Sequence, residues 1–161
     1  MKSEKDLKDT ENVKTTKVGI RKDPAAKDLP LPGYATNGSS GMDVYAAVDG
    51  EVALAPGDIK LIPAGFYLSI PRGFEAEIRP RSGLALKHGI TLVNSPGTID
   101  SDFRGLVSVI LTNLGRKPYV IKRGDRIAQM VFKETISADL ELREELDATK
   151  RASGGFGHTG N

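Results

Sequence analysis

The chain has no cysteine and no tryptophan among its 161 residues. Without cysteine there can be no disulfide framework and no thiolate metal centre. Aromatic residues make up only 6% of the sequence, so each Phe or Tyr beside polar residues marks a candidate ligand contact. No apolar run approaches the roughly 20 residues of a membrane-spanning helix, and the N-terminus lacks the apolar stretch of a signal peptide. The expectation is a soluble, cytoplasmic protein with no membrane partner. Net charge is +2, from 23 basic and 21 acidic residues. That balance argues against a nucleic-acid-binding surface. Any polyanion the protein binds must be met by a few placed cations.

What is present is a β-type pattern in a chain long enough for one domain with a real core. Residues 1–15 alternate Lys, Asp and Glu with no aromatic residue, and are expected to form a disordered arm. Residues 16–148 are expected to form a single β-domain, and residues 149–161 a glycine-rich flap. From residue 41 to 132, short β-prone runs are cut every eight to twelve residues by Pro, Gly, Asn or Asp. That spacing predicts an all-β jelly roll or distorted barrel. A first strand is expected near residues 16–20, and a short edge pairing at Tyr34. In residues 106–111, Val107, Val109 and Leu111 share one face by alternation. Ile110 makes the other face apolar too, predicting burial there by a second sheet or a neighbouring subunit. In residues 140–150, Leu140 and Leu142 fit an alternating edge strand followed by loop; a helical turn is the alternative.

Five stretches carry candidate chemistry. The central one is residues 94–105 (NSPGTIDSDFRG), between the apolar runs 89–93 and 106–111. Its turn signals, Pro96-Gly97 and Arg104-Gly105, predict a β-hairpin bearing polar groups. Asp100 follows two β-branched residues where a strand expects another packing residue, and Phe103 and Arg104 come soon after. A carboxylate, a flat ring and a cation together suit a small anionic, ring-bearing ligand. Alone, such an Asp is more often a turn-former bonded to its own backbone.

The other four stretches bracket it. Asp43 opens a strand in residues 40–47. Arg81, Ser82 and Gly83 precede a possible helical turn that would aim backbone N–H groups at an anion. Gln129 sits in an otherwise apolar strand, where an unpartnered amide is costly. Residues 151–160 (RASGGFGHTG) combine a cation, glycines, one ring and two side-chain donors.

In their order and spacing these stretches resemble the five motifs of the trimeric dUTPases, the deoxyuridine triphosphate nucleotidohydrolases, over residues 29–160. The resemblance implies a jelly-roll subunit, a homotrimer, and active sites each assembled from three chains. It implies hydrolysis of dUTP to dUMP and diphosphate, limiting uracil in DNA and supplying dUMP. Asp100 matches the carboxylate that activates the attacking water. Arg81, Ser82, Gly83, Gln129, Arg151, His158 and Thr159 match the phosphate contacts. Asn94, Gly97, Thr98, Ile99, Phe103 and Phe156 match the uracil and deoxyribose contacts, Phe156 stacking on the base. Asp43 matches a supporting acid. The implied cofactor is Mg²⁺, carried by the triphosphate and waters with no direct protein ligand.

The residue chemistry agrees with this resemblance. Guanidinium forks favour phosphate over other anions, and a closing tail would exclude water. A hairpin backbone donor would suit uracil O4 and clash with the amino group of cytosine, and a tight hairpin excludes the thymine methyl. Three positions depart from the family pattern. Phe103 stands where Tyr is frequent, Ala152 replaces a usual Gly, and His158, which replaces a usual Ser, adds a titratable ring. A sister family, the dCTP deaminases, is disfavoured because Gly83 follows Arg81-Ser82 and no Glu lies between Asn94 and Gly105. The non-catalytic alternative is a trimeric nucleotide-sensing module.

Overall fold

A computed structural model describes residues 14–155. The interrupted β-prone runs form twelve strands: β1 Gly19–Lys22, β2 Gly33–Tyr34, β3 Met42–Tyr45, β4 Val52–Leu54, β5 Ile59–Pro63 and β6 Phe66–Ser69 come first. After β7 Phe74–Arg79 comes α1, Ser82–His88; then β8 Ile90–Leu92, β9 Gly97–Ile99, β10 Ser108–Asn113, β11 Tyr119–Ile121 and β12 Arg126–Glu134. A five-stranded sheet runs β2-β3-β12-β7-β9, and a three-stranded sheet runs β5-β10-β8. Two strand pairs, β1-β6 and β11-β4, make up the remaining sheets of the described residues. All pairings are antiparallel. The predicted all-β class is therefore observed, with strands that cross between sheets as a jelly-roll architecture requires.

The core lies between the sheets. Val44, Leu54, Ile62, Ile90, Leu111, Ile121, Ile127 and Met130 are fully buried. Alternation along β10 works as expected: Val107, Val109 and Leu111 are buried, and Ile110 is half-buried. Leu61 stands opposite Ile110 and is 65% exposed, with Ile59 at 62% and Val93 at 51% nearby. The outer face of this sheet is thus open in a single chain. The short edge pairing at Tyr34 is present as β2 against β3. One buried polar group, Asn113, is fully used. Its amide donates to the Leu54 and Lys117 carbonyls at 2.8 and 2.9 Å and accepts from the Gly115 N–H at 2.8 Å.

Two expectations are corrected. Residues 94–105 are not a simple hairpin tip. The arms do pair, with Leu92 opposite Leu111, but β9 leaves them and joins the other sheet, placing Ile99 opposite Ala76. Ile99 is 7% exposed, so β9 gains more by burying it beneath the larger sheet than by closing a tip in solvent. Residues 140–150 form neither strand nor helix. Leu140 and Leu142 are 91% and 101% exposed; among the described residues no strand pairs with them, so alternation alone has nothing to pair with. Among the described residues the last strand ends at Glu134. No helix of the described residues is long and apolar enough to cross a membrane. Residues 1–13 of the expected N-terminal arm lie outside the described residues.

An ion pair ties the segment before β2 to the turn before β12. Arg123 donates through Nε and Nη2 to the two carboxylate oxygens of Asp28, at 2.9 and 2.6 Å. The same guanidinium also reaches the Val48 and Ala25 carbonyls. Arg123 holds the Asp28 carboxyl down to about 2, from an ordinary 3.8. A depressed carboxyl stabilises the fold fully above its unfolded value, and that contribution is lost as pH falls through the folded value. The melting-temperature gap between wild type and Asp28→Asn is therefore expected to be full at pH 7 and to close between pH 4 and 2. A gap that stays constant over that window would assign the pair no linked stability.

Candidate active site

The site residues are organised by the five-stranded sheet. Side chains one position apart along a strand alternate faces, so cross-strand register decides which of them meet. Asp43 on β3 stands opposite Gln129 on β12, which stands opposite Arg79 on β7. Just beyond β7 the chain turns through Pro80 and Arg81 into α1. Arg81 is the N-cap in extended conformation, with φ −94° and ψ 126°. The first N–H groups of such a helix have no carbonyl within the helix to bond. Ser82 and Gly83, which supply them, are exposed. A Cβ added at Gly83 would meet nothing within 4 Å, so the cavity side of this turn has room for an anion. The helix closes on Gly89 at φ +70°, where a side chain would strike the Gly115 backbone.

Asp43, Arg81, Ser82, Gly83 and Gln129 line one cavity of about 340 Å³. Asp43 accepts from Arg126 Nη1 at 3.1 Å on Oδ2, and its Oδ1 forms an ion pair with Arg81 Nε at 3.2 Å. Its side chain is only 15% exposed, so one acid holds two cations at the cavity wall. Gln129 Nε2 donates to the Pro80 carbonyl at 2.9 Å, which anchors the amide nitrogen. Gly41 lies close behind it: a Cβ there would sit 2.5 Å from Gln129 Oε1, so a larger residue would push the amide out of this position. The fit to a divalent ion follows from this donor chemistry. Both Asp43 oxygens are engaged by guanidinium, so the carboxylate suits the waters of an ion borne by phosphate better than a bare ion.

Asp100 lies elsewhere. It is exposed at the end of β9 and lines a cavity of about 750 Å³ with Arg72, Glu75, Asp102, Arg104 and others. This cavity and the Arg81 cavity have no lining residue in common. The Asp100 carbonyl accepts from the Phe103 N–H at 3.2 Å, forming the turn that aims the carboxylate outward. Arg104 Nη1 donates to the Ser101 and Phe103 carbonyls, both at 2.8 Å, so the cation of this stretch braces the turn. The Phe103 ring is 43% exposed and lies over Gly105, where a Cβ would sit 2.5 Å from Cζ. Asn94 folds beside Gly97, whose added Cβ would meet its Nδ2 at 3.1 Å. Thr98 is exposed, whereas the Ile99 side chain is in the core, so Ile99 can offer a ligand only its backbone.

Arg151 is exposed and Nε donates to the Gly154 carbonyl at 2.9 Å; it lines neither cavity. Ala152 adopts φ +43°, the left-handed region that a glycine enters freely and that costs an L-residue roughly 1 kcal/mol. Phe156, His158 and Thr159 lie outside the described residues. Sequence reasoning missed Arg79, Arg126 and Arg72 as cavity cations. Arg79 lies two residues before Arg81 and Arg126 three before Gln129, but only strand register brings them to the cavity.

The comparisons with known proteins agree over most of the chain. A family model described as dUTPase matches residues 27–160. A deoxyuridine 5'-triphosphate nucleotidohydrolase from Caldanaerobacter subterraneus subsp. tengcongensis is 54% identical over 141 residues, 88% of this chain and 95% of that protein. One from a Thermoanaerobacter species is 57% identical over 141 residues, with the same coverage. Among solved structures, a mutant dUTPase of Staphylococcus bacteriophage 80alpha with dUpNHpp superposes with a TM-score of 0.78. It is 21% identical, and the match covers 91% of this chain and 100% of that one. A phage phi11 dUTPase mutant described with a structural Mg(II) ion gives a TM-score of 0.72 at 20% identity, covering 81% and 98% of the two chains. At those identities the structural likeness is one of fold.

Proposed function

The chain belongs to the dUTPase family, and on that premise we propose that it hydrolyses dUTP to dUMP and diphosphate. The observation that carries the mechanism is the division of the site. The exposed carboxylate of Asp100 and the cation-rich cavity around Arg81 share no lining residue within one chain. In a homotrimer, the Asp100 half of one subunit faces the Arg81 half of another. The exposed Ile59, Leu61 and Val93 give the subunit apolar surface to bury on assembly.

In this reading Arg81, Ser82, Gly83 and Gln129 bind the triphosphate, and Arg151 with His158 and Thr159 completes its enclosure. Asn94 and the backbone of residues 97–99 read uracil, Phe103 packs on the deoxyribose, and Phe156 covers the base. Asp100 takes a proton from a water as its oxygen bonds to the α-phosphorus; the bond to the departing diphosphate breaks. Asp43 holds Arg81 in place. Bound Mg²⁺ would spread the negative charge of the phosphates, with Asp43 beside its waters. A cytoplasmic location belongs to the same proposal.

Diphosphate release from each deoxynucleoside triphosphate, with and without Mg²⁺, tests it. dUTP is expected to turn over with Mg²⁺, and the other nucleotides to be slower by roughly 100-fold for dTTP and roughly 10⁴-fold for dCTP, following methyl exclusion and polar mismatch respectively. Ammonia released from dCTP would replace this reading with deamination. Binding of dUTP without turnover would favour a sensing module.

A further inference from the structure

The cavity that gathers Asp43, Arg81 and Gln129 has one more cationic wall, the Arg79 side chain. Register places it there, directly across from Gln129. Arg79 also lines an adjoining cavity of about 550 Å³ with Glu77, Ser95 and Lys133. Its guanidinium is common to both spaces.

Glu77 fixes that guanidinium. The two residues are two apart on β7 and share a face. Glu77 Oε2 accepts from Arg79 Nε at 2.8 Å and from Arg79 Nη2, while Oε1 accepts from Lys133 Nζ at 3.1 Å. The Glu77 side chain is 10% exposed, so an acid nearly out of water is matched by two cations. Arg79 and then Lys133 hold its carboxyl below the usual range. A guanidinium has five N–H donors in a rigid plane. Glu77 occupies the Nε–Nη2 fork and leaves the Nη1–Nη2 fork without a partner among the described residues. Arg79 is 39% exposed, which keeps that free fork open to the cavity.

The charge count has the same form on both sides of Gln129. Asp43 holds Arg81 and Arg126, and Glu77 holds Arg79 and Lys133. Each acid is outnumbered two to one, so each cluster keeps one uncompensated positive charge. An ion pair built only for stability would need no second cation.

We propose that Arg79 is a further phosphate-binding residue, gripping the triphosphate by its free fork while Glu77 holds the other edge as a positioning residue. Lys133 keeps Glu77 compensated when Arg79 shares its charge with the ligand. This rests on the dUTP reading above, and a first measurement separates the two. If the wild-type protein releases no diphosphate from dUTP, that reading fails whatever Arg79 does.

With turnover established, Arg79→Ala is measured for affinity to a non-hydrolysable imido analogue of dUTP and for inhibition by deoxyuridine, which has no phosphate. Affinity for the analogue is expected to fall roughly 10-fold or more, the scale of one charge-assisted contact, with deoxyuridine inhibition unchanged. KM should rise more than kcat falls. Arg79→Lys should recover part of the loss, having charge but no fork. Glu77→Gln should raise KM for dUTP with deoxyuridine inhibition unchanged, alongside a lower melting temperature from the loss of an acid that two cations compensate. Arg79→Gln, which retains one donor for Glu77, covers the case of a poorly folding alanine variant and should show the same selective loss. Wild-type affinity for the analogue in these variants, or equal losses for analogue and deoxyuridine in step with a lower melting temperature, would make Arg79 a structural ion pair only and overturn the proposal.

Discussion

Asp100→Asn is expected to lower kcat for dUTP by roughly 10³-fold, within the range of general-base catalysis, while affinity for a non-hydrolysable dUTP analogue stays within a few-fold. Asn has the same shape as Asp, so the turn that accepts the Phe103 N–H through the residue 100 carbonyl is untouched. What disappears is a group able to take a proton. Asp102 provides the comparison, because it lines the same cavity and is also exposed. Asp102→Asn removes an equal charge from the same space. If Asp100 acted only through the field it creates, the two variants would lose similar activity. A deep loss in Asp100→Asn alone, measured in single-turnover conditions so that product release does not mask chemistry, assigns the base. Turnover at the wild-type rate in Asp100→Asn would remove Asp100 from the mechanism.

Much of this site was legible in the sequence because it depends on short-range rules. The Gly and Pro breaks gave the strand pattern, and two-residue alternation placed Val107, Val109 and Leu111 inside. Gln129 stood out because an amide in an apolar strand needs a partner, and the Pro80 carbonyl supplies one. Ser82 and Gly83 were legible as the start of a helical turn. Long-range pairing was not legible. Nothing local says that β9 leaves its own arms to pair with β7, which is what buries Ile99 and sets Asp100 at a sheet edge. Arg79 and Arg126 were missed for the same reason. Their place depends on which strand lies beside which, and only register brings Arg79 across from Gln129 and Arg126 to Asp43. The edge strand expected at Leu140 and Leu142 failed because alternation describes a strand's faces but not the presence of a partner.

Removal of residues 150–161 is expected to leave a folded trimer whose dUTP turnover falls at least roughly 100-fold. The fold should survive because, among the described residues, the last strand ends at Glu134 and Lys150 to Ser153 are exposed, with none of residues 150–155 in the core. Activity should not survive if the Arg81 cavity holds the triphosphate as proposed, because that cavity is exposed and its cations are partly neutralised already by Asp43 and Glu77. Water weakens each guanidinium–phosphate contact several-fold relative to a closed site. The deleted segment holds Arg151, the Phe156 ring and the donors of His158 and Thr159, and its glycines let a chain wrap closely around an anion. Circular dichroism, sedimentation and diphosphate release on the same preparation separate the two effects. Loss of the trimer together with activity would make the segment part of assembly. An unchanged rate would mean that the site closes without it. The expected result, an intact trimer with a slow reaction, makes water exclusion the step to which the tail contributes.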